Sequence, residues 1–269
     1  GKADTDFISI LFCDIRSFTS LSEKMSPQEL VDFLNDFFKR MTEPISNNKG
    51  FVDKFIGDGV MALFSIPEEP NAADALNSVM AAISMQQQID SFNKDNKMAE
   101  EKRLRIGIGI HSGPVIIGTV GSEERMESTV TGDTVNLASR LEGLTKFYRS
   151  KILISQSTYE FIDSESSFEF RELDLVKVKG KDKPVTIFEV CNSDPEPIRE
   201  QKLGSREKFA EALKDYRSQK WTAAMTKFKN CLKECPDDGA SELHLERCKS
   251  FKKTPPPKDW KGEQVFTQK

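Results

Sequence analysis

The chain has 269 residues, 37% hydrophobic and 30% charged, a composition typical of soluble globular proteins. Its net charge of −4 argues against a nucleic-acid partner, because surfaces that bind nucleic acids are strongly basic. There is no signal-peptide pattern and no apolar run near the ~20 residues of a membrane span. Five cysteines, an odd number, argue against a disulfide scaffold and favour a reducing cytoplasm. The abrupt start at Gly1 suggests a piece of a longer, membrane-anchored or cytosolic protein with an upstream sensor.

The patterns over residues 7–117 follow the order strand, helix, strand, strand, helix, strand. Ser26 and Glu29 form a capping-box pattern at the start of the first helix, and Gly50 marks its end. Glycines on both sides of Asp58 indicate a hairpin. This order predicts an α+β fold with a ferredoxin-like βαββαβ core and added strands. The predicted ranges are strand 7–13, helix 26–50, strands 51–56 and 60–64, helix 71–92, and strands 104–110 and 115–120.

The second half of the chain continues with mixed elements and then becomes helical. An extended segment and helix are predicted at 129–145, a strand at 151–154, a helix at 157–162, and strands at 168–178 and 185–190. A small helical appendage follows, with two helices at 209–239 and a third candidate helix at 243–251, and its residues are spaced as in a tetratricopeptide hairpin. The predicted organisation is a main domain at 1–191, a linker at 192–204, a tetratricopeptide-like segment at 205–251, and an extended Pro-rich tail at 252–269.

Three of the cysteines and a histidine imitate a metal site in the helical segment. Cys231, Cys235, His244 and Cys248 follow the pattern C-x3-C-x8-H-x3-C. Structural zinc sites usually place a ligand pair on a tight turn, whereas spacing of four residues on a helix also arises from packing. The helical spacing therefore favours packing over zinc.

Two aspartates stand at the ends of strand-like runs. Asp14 follows the first strand, and Asp58 lies at the tip of the predicted hairpin. A charged carboxylate at the end of a buried strand is costly unless it is paired or binds a metal. In the predicted strand order the two runs are central neighbours, so the carboxylates can converge. Two carboxylates without nearby histidines suit Mg2+ or Mn2+, although each alone could simply cap a turn.

Four motifs, in this order, resemble the catalytic domain of class III nucleotidyl cyclases. They are FCDIRSFTSL, DKFIGDGVMALF, GIGIHSGPVIIGTVG and TVTGDTVNLASRLE, and the resemblance covers roughly residues 6–190. It implies two metal ions, Mg2+ or Mn2+, and attack of a 3′-hydroxyl on the α-phosphate of ATP or GTP. The products would be a cyclic monophosphate and pyrophosphate.

The resemblance also implies a role for individual residues. Asp14 and Asp58 resemble the metal aspartates, with the backbone carbonyl of Ile15 as a further ligand. Asn136 and Arg140 resemble the pair that positions the ribose and stabilises the transition state. Lys179, in Val-Lys-Gly-Lys, resembles the lysine that holds the terminal phosphates. Arg140, Lys179 and Lys181 were already candidates for binding a triphosphate because of their charge.

The choice of base depends on two positions in this family. Lys54, four residues before Asp58, resembles the lysine of adenylate cyclases, where guanylate cyclases have glutamate. The usual partner is an aspartate seven residues before the asparagine, but this chain has Thr129, whose hydroxyl still accepts a hydrogen bond. That departure resembles the subgroup that includes bicarbonate-responsive cyclases. ATP is therefore the expected substrate, with side activity on GTP conceivable.

The family is implied to form head-to-tail dimers with two sites at the interface. One subunit would give the metal aspartates, and the other would give Lys54, Thr129, Asn136, Arg140 and Lys179. Because this chain carries both sets, a homodimer with two active sites is expected. The alternatives are a guanylate cyclase, against which Lys54 argues, and a degenerate nucleotide-binding regulator. An interaction module is an alternative only for residues 200–269.

Overall fold

The computed structural model describes residues 3–65, 72–122, 125–162, 166–178 and 183–266. The chain divides into two compact units, the first formed by Gly1–Gly143 and Ser157–Ser166, the second by Leu144–Gln156 and Ser167–Lys269. The elements are, in chain order, β1 Ala3–Ile15, α1 Phe18–Ser22, α2 Pro27–Asn47, β2 Phe51–Ile56, β3 Gly59–Phe64, α3 Ala72–Asp95, β4 Ile106–Ser122, β5 Arg125–Thr131, α4 Asp133–Tyr148, β6 Ile152–Ser155, α5 Gln156–Glu160, β7 Phe170–Val178, β8 Val185–Val190, α6 Glu196–Gly204, α7 Arg206–Arg217, α8 Trp221–Glu234, α9 Gly239–Lys253 and β9 Glu263–Phe266.

The first unit is built on an antiparallel sheet in the order β2-β3-β1-β4, with β5 paired to β4. Strands β1 and β3 are central neighbours, and helices α2 and α3 contact the sheet and each other. This arrangement confirms the predicted ferredoxin-like βαββαβ core with added strands.

A hydrophobic cluster joins this sheet to helix α4. Alternate residues of β1, beginning with Ile8 and Ile10, point to the same side and contact Ala138 of the helix. The buried members of the cluster are Ile8, Ile10, Met61, Leu63, Val115, Val130 and Ala138. Burial of this apolar surface fixes α4 on the face of the central strands.

Helix α2 begins as predicted and ends slightly differently. The Ser26 hydroxyl accepts a hydrogen bond from the Glu29 N–H (3.3 Å), and the Glu29 carboxylate accepts one from the Ser26 N–H (2.7 Å). At the other end the left-handed residue is Lys49, with φ 62°, rather than Gly50. Gly50 is required for space, because a Cβ there would lie 2.4 Å from the Phe64 ring.

The prediction of two strands separated by residues 111–114 is wrong. Strand β4 runs without interruption from Ile106 to Ser122. The intervening residues pair with β1, with Ile10 opposite His111 and Phe7 opposite Pro114. Continuous pairing with a long neighbouring strand overrides the local turn signal of Gly113 and Pro114, and β1 itself is longer than predicted.

The second unit contains the strand order β6-β8-β7-β9 and helices α6 to α9. Strand β8 is antiparallel to its neighbours, whereas β9 is parallel to β7. The three predicted helices are present as α7, α8 and α9. The tail is not simply extended, because β9 pairs with β7 and the Trp260 ring contacts Tyr216.

Most of the segment predicted as a linker at 192–204 is helical. A short 3-10 turn is followed there by helix α6, which begins at Glu196. The buried Lys202 ammonium of this helix donates to Glu189 (3.1 Å) and Asp194 (2.8 Å). These contacts could not be seen from the Pro-rich composition that suggested a linker.

The cysteines and His244 are buried, and none of the five cysteines forms a disulfide. The His244 ring stacks on Phe228, and its Nε2 lies 2.8 Å from the Leu173 carbonyl. Within the described ranges, no group of three or more His, Cys, Asp or Glu side chains is arranged to hold a metal. In the same ranges, none of the helices has the length and apolar character required to cross a membrane.

Candidate active site

The two predicted metal aspartates meet at the end of strand β1. The backbone N–H of Ile15 donates to Asp14 Oδ1 (2.9 Å) and to Asp58 Oδ2 (3.1 Å). Asp14 is the last residue but one of β1, and Asp58 lies in the turn between β2 and β3. Gly57, with φ 61°, allows that tight turn, and pairing of Cys13 with Val60 brings it beside β1. The expected convergence of the carboxylates is therefore present.

Negative charge is in excess around Asp14 and Asp58. Partial burial, the hydrogen bond with Asp58 and the negative charges of Asp58 and Glu142 together raise the pKa of Asp14 to about 8. Arg16 is the nearby cation, but its guanidinium contacts Glu142 Oε1 at 3.3 Å. Since burial and the neighbouring negative charges oppose ionisation of Asp14, the site favours either a protonated Asp14 or a bound cation.

The donor set fits a hard divalent cation. Carboxylate and carbonyl oxygens are the ligands that Mg2+ prefers, and Mg2+ typically uses one or two carboxylates together with phosphates and water. Asp14 and Asp58 supply two such carboxylates. The raised pKa of Asp14 is the second indication, because a cation would offset both the burial and the neighbouring negative charges that cause it.

Helix α4 carries the other predicted catalytic pair and is held closely on the sheet. Asn136 and Arg140 are one helical turn apart, so they share a face. The Thr134 hydroxyl, near the start of the helix, donates to the Pro114 carbonyl at 2.6 Å. A Cβ at Gly109 would lie 2.1 Å from the backbone nitrogen of Glu142, so only glycine permits this approach of helix to strand.

The residues predicted to select the base are only partly described. Lys54 is exposed on β2, and its ammonium lies 3.3 Å from Asp53 Oδ2. Thr129 lies in β5 opposite Gly118, but its side chain is outside the described part of the structure. Lys179 and Lys181 also lie outside the described residues.

Among the described residues, no polar contact joins the two predicted sets of site residues. In the described part of the chain, Asp14 and Asp58 make no hydrogen bond or ion pair with Lys54, Asn136 or Arg140. Sequence reasoning missed the Arg16–Glu142 pair beside the aspartates. The only indication of this pair in the sequence is that Arg16 lies close to Asp14. Its partner Glu142 could be identified only from the packing of α4 on β4.

The comparisons with known proteins agree with this geometry. Residues 2–190, more than half of the chain, match the family model described as adenylate and guanylate cyclase catalytic domain. An adenylate cyclase from Anabaena cylindrica is 49% identical over 195 residues, which are 71% of this chain and 38% of that protein. The adenylyl cyclase CyaB from P. aeruginosa has a similar crystal structure, with a TM-score of 0.63 and 33% identity over 70% of this chain and 95% of that chain.

A further relative extends the likeness beyond the catalytic motifs. The terminal-differentiation specific adenylate cyclase of Dictyostelium discoideum is 39% identical over 249 residues, which are 92% of this chain. Such a long match must continue past residue 190 into the C-terminal helices. The chain spans only 12% of that relative and 38% of the Anabaena protein. With its family model, strand order and converging aspartates, the chain belongs to the family of adenylate and guanylate cyclase catalytic domains.

Proposed function

We propose that the chain is the catalytic part of an adenylate cyclase, which converts ATP to 3′,5′-cyclic AMP and pyrophosphate. The observation that carries the proposal is the convergence of Asp14 and Asp58 on the Ile15 N–H. In the reaction, a bond forms between the ribose O3′ and the α-phosphorus, and the bond from that phosphorus to the bridging oxygen of pyrophosphate breaks. The 3′-hydroxyl proton leaves to solvent or to a phosphate oxygen.

Two bound divalent ions, Mg2+ or Mn2+, would lower the pKa of the 3′-hydroxyl and neutralise charge on the phosphates. Asp14, Asp58 and the Ile15 carbonyl would hold them. Asn136 would orient the ribose, and the Arg140 guanidinium would stabilise the negative charge that builds up on the α-phosphate. Lys179 would bind the terminal phosphates.

ATP is proposed as the substrate because of Lys54, with Thr129 as the second base contact. The relatives named adenylate cyclase, from Anabaena and Dictyostelium, support the same choice. The family description includes both adenylate and guanylate cyclases, so family membership alone does not select the base.

We also propose that two copies of the chain form a homodimer with two shared sites. Support comes from the absence, among the described residues, of a polar contact between the aspartate pair and Asn136 or Arg140. A site that needs both sets would be completed by a second copy related by twofold symmetry. The proposed catalytic domain is 1–191, as the sequence predicts.

The direct test is to incubate the purified chain with ATP or GTP and Mg2+ or Mn2+, and to separate the products by chromatography. Cyclic AMP from ATP, in clear excess over cyclic GTP from GTP, is the expected result. Predominant cyclic GTP would identify a guanylate cyclase instead. Nucleotide binding without either product would favour a degenerate regulatory module.

The shared site is tested by mixing two inactive variants, Asp58→Asn and Arg140→Ala. In a mixed dimer both defects fall in one site, and the other site takes its aspartates from one chain and its arginine from the other. With free exchange at equal amounts, about a quarter of the wild-type activity should return, because half of the dimers are mixed and have one intact site each. Two affinity tags pulled down together establish that exchange occurred. Tagged heterodimers that stay inactive would contradict the shared site.

A further inference from the structure

The last turn of helix α4 is anchored by a buried polar cluster in the second unit. The Tyr148 hydroxyl donates to Asp174 Oδ2 of strand β7 at 2.6 Å, and Arg247 of α9 donates to the same oxygen at 2.5 Å. Tyr148 is 1% exposed and Asp174 is fully buried. Burial, followed by the charge of Asp174, raises the pKa of Tyr148 well above its ordinary value, so the phenol remains a neutral donor.

The C-terminal elements surround the same turn on further sides. The Arg247 guanidinium lies 5.7 Å from the centroids of both the Tyr148 and Phe266 rings. The Phe266 ring of β9 is 5.4 Å from that of Phe147. A Cβ at Gly239, where α9 begins, would lie 2.6 Å from the Tyr148 carbonyl oxygen. Only glycine therefore allows the backbones of α9 and α4 to approach so closely.

Helix α4 is continuous from Asp133 to Tyr148, and it passes from the first unit into the second after Gly143. Arg140 lies eight residues before Tyr148, about 12 Å along the helix axis. A helix transmits a displacement or fraying of its last turn to earlier residues, because each backbone hydrogen bond depends on its neighbours. Anchoring at Tyr148 can therefore act on Asn136 and Arg140.

We infer that Tyr148, Asp174 and Arg247 are positioning residues for catalysis, through which the C-terminal helices hold α4 with Asn136 and Arg140 in their reactive geometry. The inference rests on the proposed function. It assigns the C-terminal segment a part in turnover rather than only in binding a partner. An error of about 1 Å at a catalytic group can cost up to ~100-fold in rate, so a modest loss of anchoring should be measurable.

The test uses Tyr148→Phe, which removes one hydroxyl and leaves the Asp174–Arg247 ion pair intact. We expect kcat to fall by about threefold to tenfold, with little change in the KM for ATP, because Arg140 stabilises the transition state more than the bound substrate. Amide hydrogen exchange over residues 133–143 should become severalfold faster. This second readout does not need activity, and it remains valid if the wild-type chain makes no cyclic nucleotide, a result that would contradict only the proposed function.

The matched control is Ala224→Gly in α8, a buried position of the same C-terminal helices. It should destabilise α8, because glycine has a lower helix propensity than alanine, and it leaves the hydroxyl of Tyr148 in place. Equal losses of kcat in both variants would mean that the segment acts only through stability and would overturn the inference. An unchanged kcat in Tyr148→Phe, faster exchange in neither variant, or a change confined to KM would also overturn it.

A rescue variant tests whether the effect travels along the helix. Gly143 is an interior helix residue, and a Cβ there would meet no atom within 4 Å, so alanine fits. Gly143→Ala should stabilise helix α4, because alanine has the higher helix propensity, and restore part of the kcat lost in Tyr148→Phe. A double variant with no recovery would show that the helix does not carry the effect.

Discussion

The chain contains two carboxylate clusters in which the pKa of an aspartate is shifted in opposite directions. At the end of β1, Asp14 and Asp58 share one N–H donor, and the pKa of Asp14 is raised to about 8. In the second unit, burial alone would raise the pKa of Asp238, but the bidentate hydrogen bonds and charge of Arg171 hold it at about 2. Among the described residues, no cation pairs with Asp14 or Asp58, since Arg16 contacts Glu142, whereas Asp238 is paired with Arg171.

This difference separates a site from a structural contact. Every carboxylate oxygen of Asp238 is bonded to Arg171, whose side chain also donates to Glu189 at 2.6 Å and is 2% exposed. Because Arg171 already pairs with both carboxylates, this cluster does not require a further cation. The Asp14 pair leaves an electrostatic cost in the folded protein, which a bound divalent ion would relieve. A raised carboxyl pKa beside a second carboxylate is thus an indicator of function.

The largest expected effect comes from Asp14→Asn. Activity should fall at least about 100-fold, because the variant lacks a proposed ligand of the ions that stabilise charge on the phosphates. Stability in EDTA at pH 7 should rise by about 1 kcal/mol, or roughly 2–4 °C in Tm. The sign follows because a carboxyl whose pKa is raised on folding costs stability above its ordinary pKa of 3.8, and asparagine removes that cost.

Thermal unfolding and a product assay of the same preparation measure both effects. Asp6→Asn, on the exposed part of the same strand, is the matched control and should change neither quantity appreciably. An Asp14→Asn protein that is less stable than wild type in EDTA would contradict the like-charge explanation. Retention of most activity with Mg2+ would contradict the metal assignment.

The second effect is a loss of stability in Arg171→Met. Removing the cation leaves buried Asp238 without its bidentate partner and Glu189 with only Lys202, which should cost about 3–5 kcal/mol. Urea unfolding is the measurement. Arg40→Met is the control, because Arg40 pairs with Asp36 at the surface of α2 and such pairs contribute about 1 kcal/mol or less. Similar losses in the two variants would mean that the buried cluster is not special.

The smallest expected effect is a loss of folding stability at lower pH. Burial lowers the pKa of His244 to about 4, so the folded protein binds its proton less strongly than the unfolded chain, whose value is near 6.5. Stability should therefore fall as the pH drops from 6.5 towards 4, by up to about 2 kcal/mol between pH 7 and pH 5. Urea titrations at the two pH values measure this loss. His244→Gln keeps a donor for the Leu173 carbonyl and should lose less; an identical loss would assign the pH dependence to other groups.

Local sequence patterns predicted those elements whose beginning or end is marked by residues a few positions away. The capping box of α2, the hairpin around Asp58 and the breaks between α7, α8 and α9 all have residues that act within a few positions. The convergence of Asp14 with Asp58 also followed, because the strand order could be read from the alternation of elements. The resemblance to cyclases is confirmed at the level of the family.

Features that depend on distant partners could not be predicted. Strand β4 continues through Gly113 and Pro114 because β1 pairs along its whole length. Helix α6 forms in a Pro-rich segment whose composition suggests a linker, and its Lys202 pairs with Glu189 of the preceding strand β8, a tertiary contact that composition does not reveal. The Arg16–Glu142 pair requires α4 to lie over Gly109. The metal-binding roles stay predictions, as do the substrate and catalytic roles of the other site residues: Asp14, Ile15 and Asp58 for the metals, and Lys54, Thr129, Asn136, Arg140 and Lys179 for the substrate.

The parallel pairing of β9 with β7 has a consequence for how the chain can be shortened. Residues Glu263–Phe266 cover the edge of β7 from Leu175 to Val178. A chain cut at residue 190, where the family match ends, would leave these backbone N–H and C=O groups unpaired. Exposed strand edges recruit other strands, so such a truncated protein should aggregate more readily at high concentration. The boundary for a soluble recombinant protein is set by the sheet edge, not by the last residue of the family match.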